Sequence, residues 1–238
     1  KYAGKYNLYF YGTVNCESGT VTVATLEINF AKEEAVTMKI ATSEGGEKLY
    51  YGELQISEMS PNVFIVLNSD FGEQVSLTFY DEPMNCETFQ CAVGAMLSIS
   101  AGDLKRAPVL NRFIITGYDV DEAHMKFIKA HLKLNTKYID ITPEMISTSV
   151  EGVFGKCEMA DRITDRLKKA FYSKRYYAIE DSFIVNTLRK DENLSLRQAD
   201  ELIAELRNHS LSNINFKINK SLDSTVYRCT NPKNISQE

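Results

Sequence analysis

The chain has 238 residues, 44% hydrophobic and 25% charged, with a net charge of −5. That balance is near the globular average and excludes a wholly disordered chain, a collagen and a coiled-coil rod. The apolar runs are too short for a transmembrane helix, and no basic stretch followed by an apolar one opens the chain as a secretory signal would.

The charge is unevenly spread. Residues 1–105 hold six lysines, no arginine and fourteen acids, a net of −8, while residues 156–238 carry a net of +3. Phosphate contacts dominate nucleic-acid affinity, so the acidic N-terminal half is a poor partner for a polyanion and roughly the last 80 residues are the better place. The five cysteines (Cys16, Cys86, Cys91, Cys157, Cys229) are odd in number and scattered, which reads as reduced thiols in a cytoplasmic protein. Cys86 and Cys91 have a zinc-like C-x4-C spacing, but no second Cys/His pair matches it. No metal or other cofactor is expected.

Residues 1–117 read as eight strands joined mostly by hairpin loops. Their apolar faces are Leu8 and Phe10; Ala24, Leu26, Ile28 and Phe30; Val36, Met38 and Ile40; Tyr50, Leu54 and Ile56; the doubly apolar run 63–67; Val75, Leu77 and Phe79; Phe89, Cys91, Val93, Ala95, Leu97 and Ile99; and Phe113 to Ile115. Such a run with no intervening helix suggests an up-and-down barrel or a sandwich. Eight strands suffice to close a small barrel, and the barrel is preferred because closure removes both exposed edges.

A linking segment, 118–155, follows. Asp119 and Glu122 are placed to cap a helix whose buried stripe is Met125, Ile128 and Leu132. Residues 137–141 read as a strand, Thr142-Pro143 as the cap and first residue of a short helix, and Gly152 with Gly155 as a domain boundary.

From 156 to 238 the apolar period becomes helical. Met159, Ile163, Leu167 and Ala170 line a first helix, and Ile179, Phe183, Ile184 and Leu188 a second. Ser195 and Gln198 form a capping box for a third, buried through Ala199, Leu202, Ile203 and Leu206. Two strands near 214–218 and 224–229 close the chain. The fold class is therefore α+β: an eight-stranded antiparallel barrel followed by a helical domain.

Two resemblances accompany this reading. Gly4-Lys5-Tyr6 ahead of an eight-strand meander resembles the G-x-W entry of calycin-like barrels such as lipocalins and fatty-acid-binding proteins, with Tyr6 in place of the tryptophan. It implies a barrel with a small-molecule pocket and carries over no binding residue. The order of three helices and a terminal hairpin resembles a winged-helix domain.

Catalytic signatures are missing. Asp121-Glu122-Ala123-His124 spells a helicase motif, but no phosphate-cradling G-x-x-x-x-G-K-[ST] loop accompanies it. No G-x-S-x-G elbow occurs. His124 and His131 are seven apart, too far to share a metal on one helix. The expected function is a non-enzymatic binding or sensor protein whose barrel recognises a small molecule or peptide and whose C-terminal domain transmits or anchors. A charged ligand would sit at a barrel mouth, paired with Arg106 and Arg112. The alternative is a DNA-binding regulator using Lys168, Lys169, Lys174, Arg175, Lys217 and Lys220, with the barrel as effector or dimerisation domain; a third reading is a structural subunit whose barrel is simply filled. The third helix, however, carries two arginines against three acids, so duplex binding is expected to be weak and non-specific.

Overall fold

The computed structural model describes residues 1–13, 20–42, 45–80, 89–100, 106–134, 138–171, 177–211 and 216–217. Eight strands run in sequence order: β1 (Gly4–Tyr11), β2 (Val21–Ile28), β3 (Val36–Ala41), β4 (Glu47–Ile56), β5 (Asn62–Asn68), β6 (Gln74–Tyr80), β7 (Cys91–Ile99) and β8 (Pro108–Thr116). Each pairs antiparallel with the next, and β1 pairs with β8 from Asn7↔Thr116 to Phe10↔Phe113, which closes an antiparallel barrel. This architecture is consistent with a calycin-like barrel.

Alternation sends Leu8, Leu26, Met38, Ile65, Leu67, Leu77, Met96, Phe113 and Ile115 inward, where they form one buried cluster. Tyr6 helps seal an end of it. Its hydroxyl donates to the Tyr2 carbonyl at 2.8 Å, and its ring meets Phe89 edge-on in an aromatic group where Phe89 also packs at a tilt on Tyr2 and Phe79. The barrel interior built by the described residues is thus packed with side chains.

Strand β7 departs from the expected facing. Cys91, Val93, Ala95, Leu97 and Ile99 point outward and are exposed, while Ala92, Gly94 and Met96 face in. The reason is Phe113, which pairs with Gly94 across β7 and β8 and occupies the space where a side chain would stand. A Cβ on Gly94 would come within 2.5 Å of the Phe113 ring. Phe30 and Ile56 are likewise exposed, Phe30 lying in a turn beyond the end of β2 and Ile56 closing β4.

After the barrel, a 3-10 turn (Glu122–His124) leads into α1 (Met125–Leu132). Asp121 caps this turn, accepting from the His124 N–H at 2.9 Å. Asp119 instead accepts from the Asn7 side chain, so the expected Asp119 cap is replaced by one two residues later. Ile128 and Leu132 pack α1 onto the outside of the barrel, against Tyr9, Tyr11 and Ile114.

Strand β9 (Tyr138–Ile141), α2 (Pro143–Phe154), α3 (Glu158–Ala170), β10 (Tyr177–Glu180), α4 (Asp181–Phe183), a π-helical turn (Ile184–Leu188), α5 (Arg189–Asp191) and α6 (Leu196–Asn208) build a second core. Its centre is Ile139, Ile146, Val150, Ile163, Leu167, Ile179, Leu188 and Leu202. Gly152 lies inside α2 and Gly155 at its C-cap, and α2 shares this core with α3 and α6. Ile179, expected on a helix, is buried in β10, which pairs with β9 (Ile179↔Ile139). The β9 edge supplies ladder bonds that a local helical pattern could not reveal. Ala170, expected to be buried, is exposed at the end of α3.

The helical part also joins the barrel. Strand β11 (Phe216–Lys217) pairs with β8 at Leu110 and Val109, so the first strand of the expected terminal hairpin extends the barrel sheet. The second, 224–229, lies outside the described residues. Among the described residues no helix is long and apolar enough to cross a membrane.

Candidate functional site

A groove of about 820 Å³ opens where three helical faces converge. One face of α1 and its preceding turn offers His124, Phe127 and His131. The stretch through α4 and the π turn offers Asp181 and Val185, and α6 offers Leu196, Arg197, Asp200 and Ile203. Each set follows helical spacing, so local sequence places each stripe on one face. Bringing the three together depends on α1 packing against α6.

The groove is apolar on Phe127, Val185, Leu196 and Ile203 and polar around them. His131 Nδ1 lies 2.8 Å from the Phe127 carbonyl, which makes Nδ1 the donor and leaves Nε2 as an acceptor in the neutral ring. The His124 ring stacks near Phe127 at 6.2 Å, and its Nδ1 meets the Asp121 carboxylate at 2.6 Å. That hydrogen bond from His124 holds the Asp121 carboxyl below its usual range.

Behind the groove, Asp181 Oδ2 forms an ion pair with the buried Arg207 guanidinium. Asp181 Oδ1 and Arg207 Nε are buried with no hydrogen-bond partner among the described residues. Burial, and then the neighbouring positive charge of Arg207, pull the Arg112 pKa down. The π turn borders the same place. The Arg189 backbone N–H donates to the Ile184 carbonyl five residues back, and Arg189 Nε donates to the Val185 carbonyl at 3.1 Å. Such π turns are often found at functional sites.

The residues singled out from sequence occupy different places. Arg106 pairs with Glu73 beside Lys48 and Tyr50, the Tyr50 hydroxyl donating to Glu73 at 2.7 Å. Burial pushes the Glu73 carboxyl up, but Tyr50, Lys48 and Arg106 outweigh it and hold it below its usual range. Arg112 lies on the outer wall of β8, where its guanidinium donates to the His131 carbonyl of α1 at 3.2 Å. The two arginines expected to share one ligand therefore face different neighbours. Lys168 is half-buried and donates to the Ser147 hydroxyl at 3.1 Å, whereas Lys169 is exposed. The Lys217 backbone lies in β11 beside Val109. Lys174, Arg175 and Lys220 lie outside the described residues. Among the described residues no three His, Cys, Asp or Glu side chains gather as a metal site.

Local sequence does not gather the groove residues into one set, because His124, Asp181 and Arg197 belong to three separate helical stretches. The signal the sequence does carry is the 124/127/131 spacing, an apolar-and-imidazole stripe flanking the buried stripe of α1. Comparisons with protein families, curated proteins and solved structures return no match to this chain.

Proposed function

We propose that the protein is a non-enzymatic binding protein acting as a sensor, with its small-molecule site in the groove between α1 and α6 rather than inside the barrel. The observation that carries this reading is the position of the groove. One wall is α1, which packs on the barrel, and the other is α6, which packs on α2 in the helical core. A ligand there touches both parts of the molecule and biases their relative placement by its differential affinity for the two arrangements. The lining suits a flat apolar body on Phe127 with polar edge groups meeting His131 Nε2, Arg197 and Asp200, the usual division of labour in such sites. The packed barrel is then a rigid platform, and the helical part transmits the bound state.

Thermal-shift and ligand-observed NMR screening with indole, nucleobase and aromatic carboxylate probes tests this. At least one probe class should raise the melting temperature, and the shift should vanish in Phe127→Ala and Leu196→Asp. Binding that survives both substitutions, or no binding by any class, defeats the reading. The winged-helix-like alternative, a duplex-binding regulator, is measured separately by the salt dependence of duplex affinity in the wild type and in Lys168→Glu/Lys169→Glu.

A further inference from the structure

The outward turn of β7 leaves an apolar face that the core does not use. Leu97 is 50% exposed and Phe64 43% exposed, and Val66, Val93, Ile99 and Leu110 are exposed with them. The sheet register makes these residues neighbours. One row across the strands runs Glu53, Val66, Ser76, Leu97, Leu110, and the next runs Gln55, Phe64, Thr78, Ala95, Arg112, whose guanidinium is turned to the His131 carbonyl. From Val66 to Leu110 is three strand spacings, roughly 14 Å, with no charged side chain in the row between them. Contiguous exposed apolar surface of this kind marks interaction sites rather than scattered surface hydrophobes.

This face adjoins a groove of about 550 Å³ that shares Val66 with it and holds Glu33, Glu34, Glu53 and Asp70. None of these four carboxylates has an ion-pair partner among the described residues. They belong to the part of the chain with a net of −8. A second copy of the chain would bring the same negative excess, so like-charge repulsion disfavours self-association here.

We infer that the outer face of β5 to β8, with the acidic groove beside it, docks a partner protein through a segment in which apolar residues alternate with lysine or arginine. Apolar side chains would cover Val66, Leu97 and Leu110, and cationic ones would reach Glu34 and Glu53. Central apolar burial with a charged rim is the usual anatomy of such interfaces.

Three short fluorescent peptides test it: alternating Lys-Leu, Glu-Leu and Lys-Ser, titrated by anisotropy at low and high salt. The Lys-Leu peptide should bind, weaken as salt rises and outcompete both others. Affinity should fall roughly tenfold in Leu97→Ser and again in Glu34→Lys/Glu53→Lys, and stay unchanged in the control Glu58→Lys. All three variants should keep the wild-type melting temperature to within a few degrees; a second surface variant, Val66→Ser, replaces Leu97→Ser if that one unfolds. No binding by Lys-Leu, equal binding by Glu-Leu, or equal loss in Glu58→Lys overturns the inference. So does concentration-dependent dimerisation abolished by Leu97→Ser, which would assign the face to a second copy. Capture by neutral vesicles in place of the peptide would assign it to lipid.

Discussion

At Gly94 a missing side chain decides which way a strand faces. The Phe113 ring fills the interior above it, and an added Cβ would also meet the Thr78 carbonyl, a backbone atom that cannot swing aside. Gly94→Ala should therefore cost about 1–3 kcal/mol in denaturant unfolding, as overpacking does. Phe113→Leu should recover only part of it, because the clash with Thr78 persists. Lys133 is the other position where a single side chain matters. Its ammonium is buried and donates to the carbonyls of Asn208 and Ser210 at the C-terminal end of α6. It satisfies carbonyls left open there and complements the helix dipole. Burial pulls its pKa from 10.5 to about 8. A lysine with a lower pKa folded than unfolded binds fewer protons in the folded state, so stability rises as pH climbs from about 8 toward 10.5. Lys133→Met should flatten that rise when unfolding is measured on both sides of pH 8.

Among the elements, α6 has the clearest local code. Ser195 Oγ accepts from Gln198 N–H at 3.1 Å, and the Gln198 side chain accepts from Ser195 N–H at 2.9 Å. Ser195→Ala should destabilise the protein by about 1 kcal/mol, read as a lower denaturation midpoint. The barrel strands depend on burial instead. Leu26 is fully buried, and Leu26→Ala should cost about 2–5 kcal/mol. Leu54, expected to be equally central, is only partly buried at the edge of that cluster, and Leu54→Ala should cost less than Leu26→Ala.

For the whole molecule, the test is whether the two cores come apart. Ser149 and Val150 are buried within α2, while Gly155, Lys156 and Cys157 are exposed. Brief trypsin treatment should nick the chain at Lys156. The fragments should then co-elute on gel filtration, because Ile146 and Val150 before the nick share a core with Ile163 and Leu202 after it. Fragments that separate and stay folded would instead mark 156–238 as an independent domain.

The eight strands and the principal helices were legible because burial imposes a period of two on strands and 3.6 on helices, and turn residues mark the breaks. Leu8, Leu26, Met38 and Leu77 lie inside the barrel as their alternation requires, and Ile163, Leu202 and Ile203 lie inside the helical core. Ser195 and Gln198 announced their cap in the letters themselves. Period alone does not say which side of a strand is the inside, so β7 reads as core from its own residues and becomes surface only once Phe113 takes its space. Ile179 joined a strand because β9 offered it an edge, and Phe216 joined the barrel because β8 did. The groove between α1 and α6 belongs to the same category. Its histidines, carboxylates and Arg197 are distant in the chain, and only helix-on-helix packing brings them to one place.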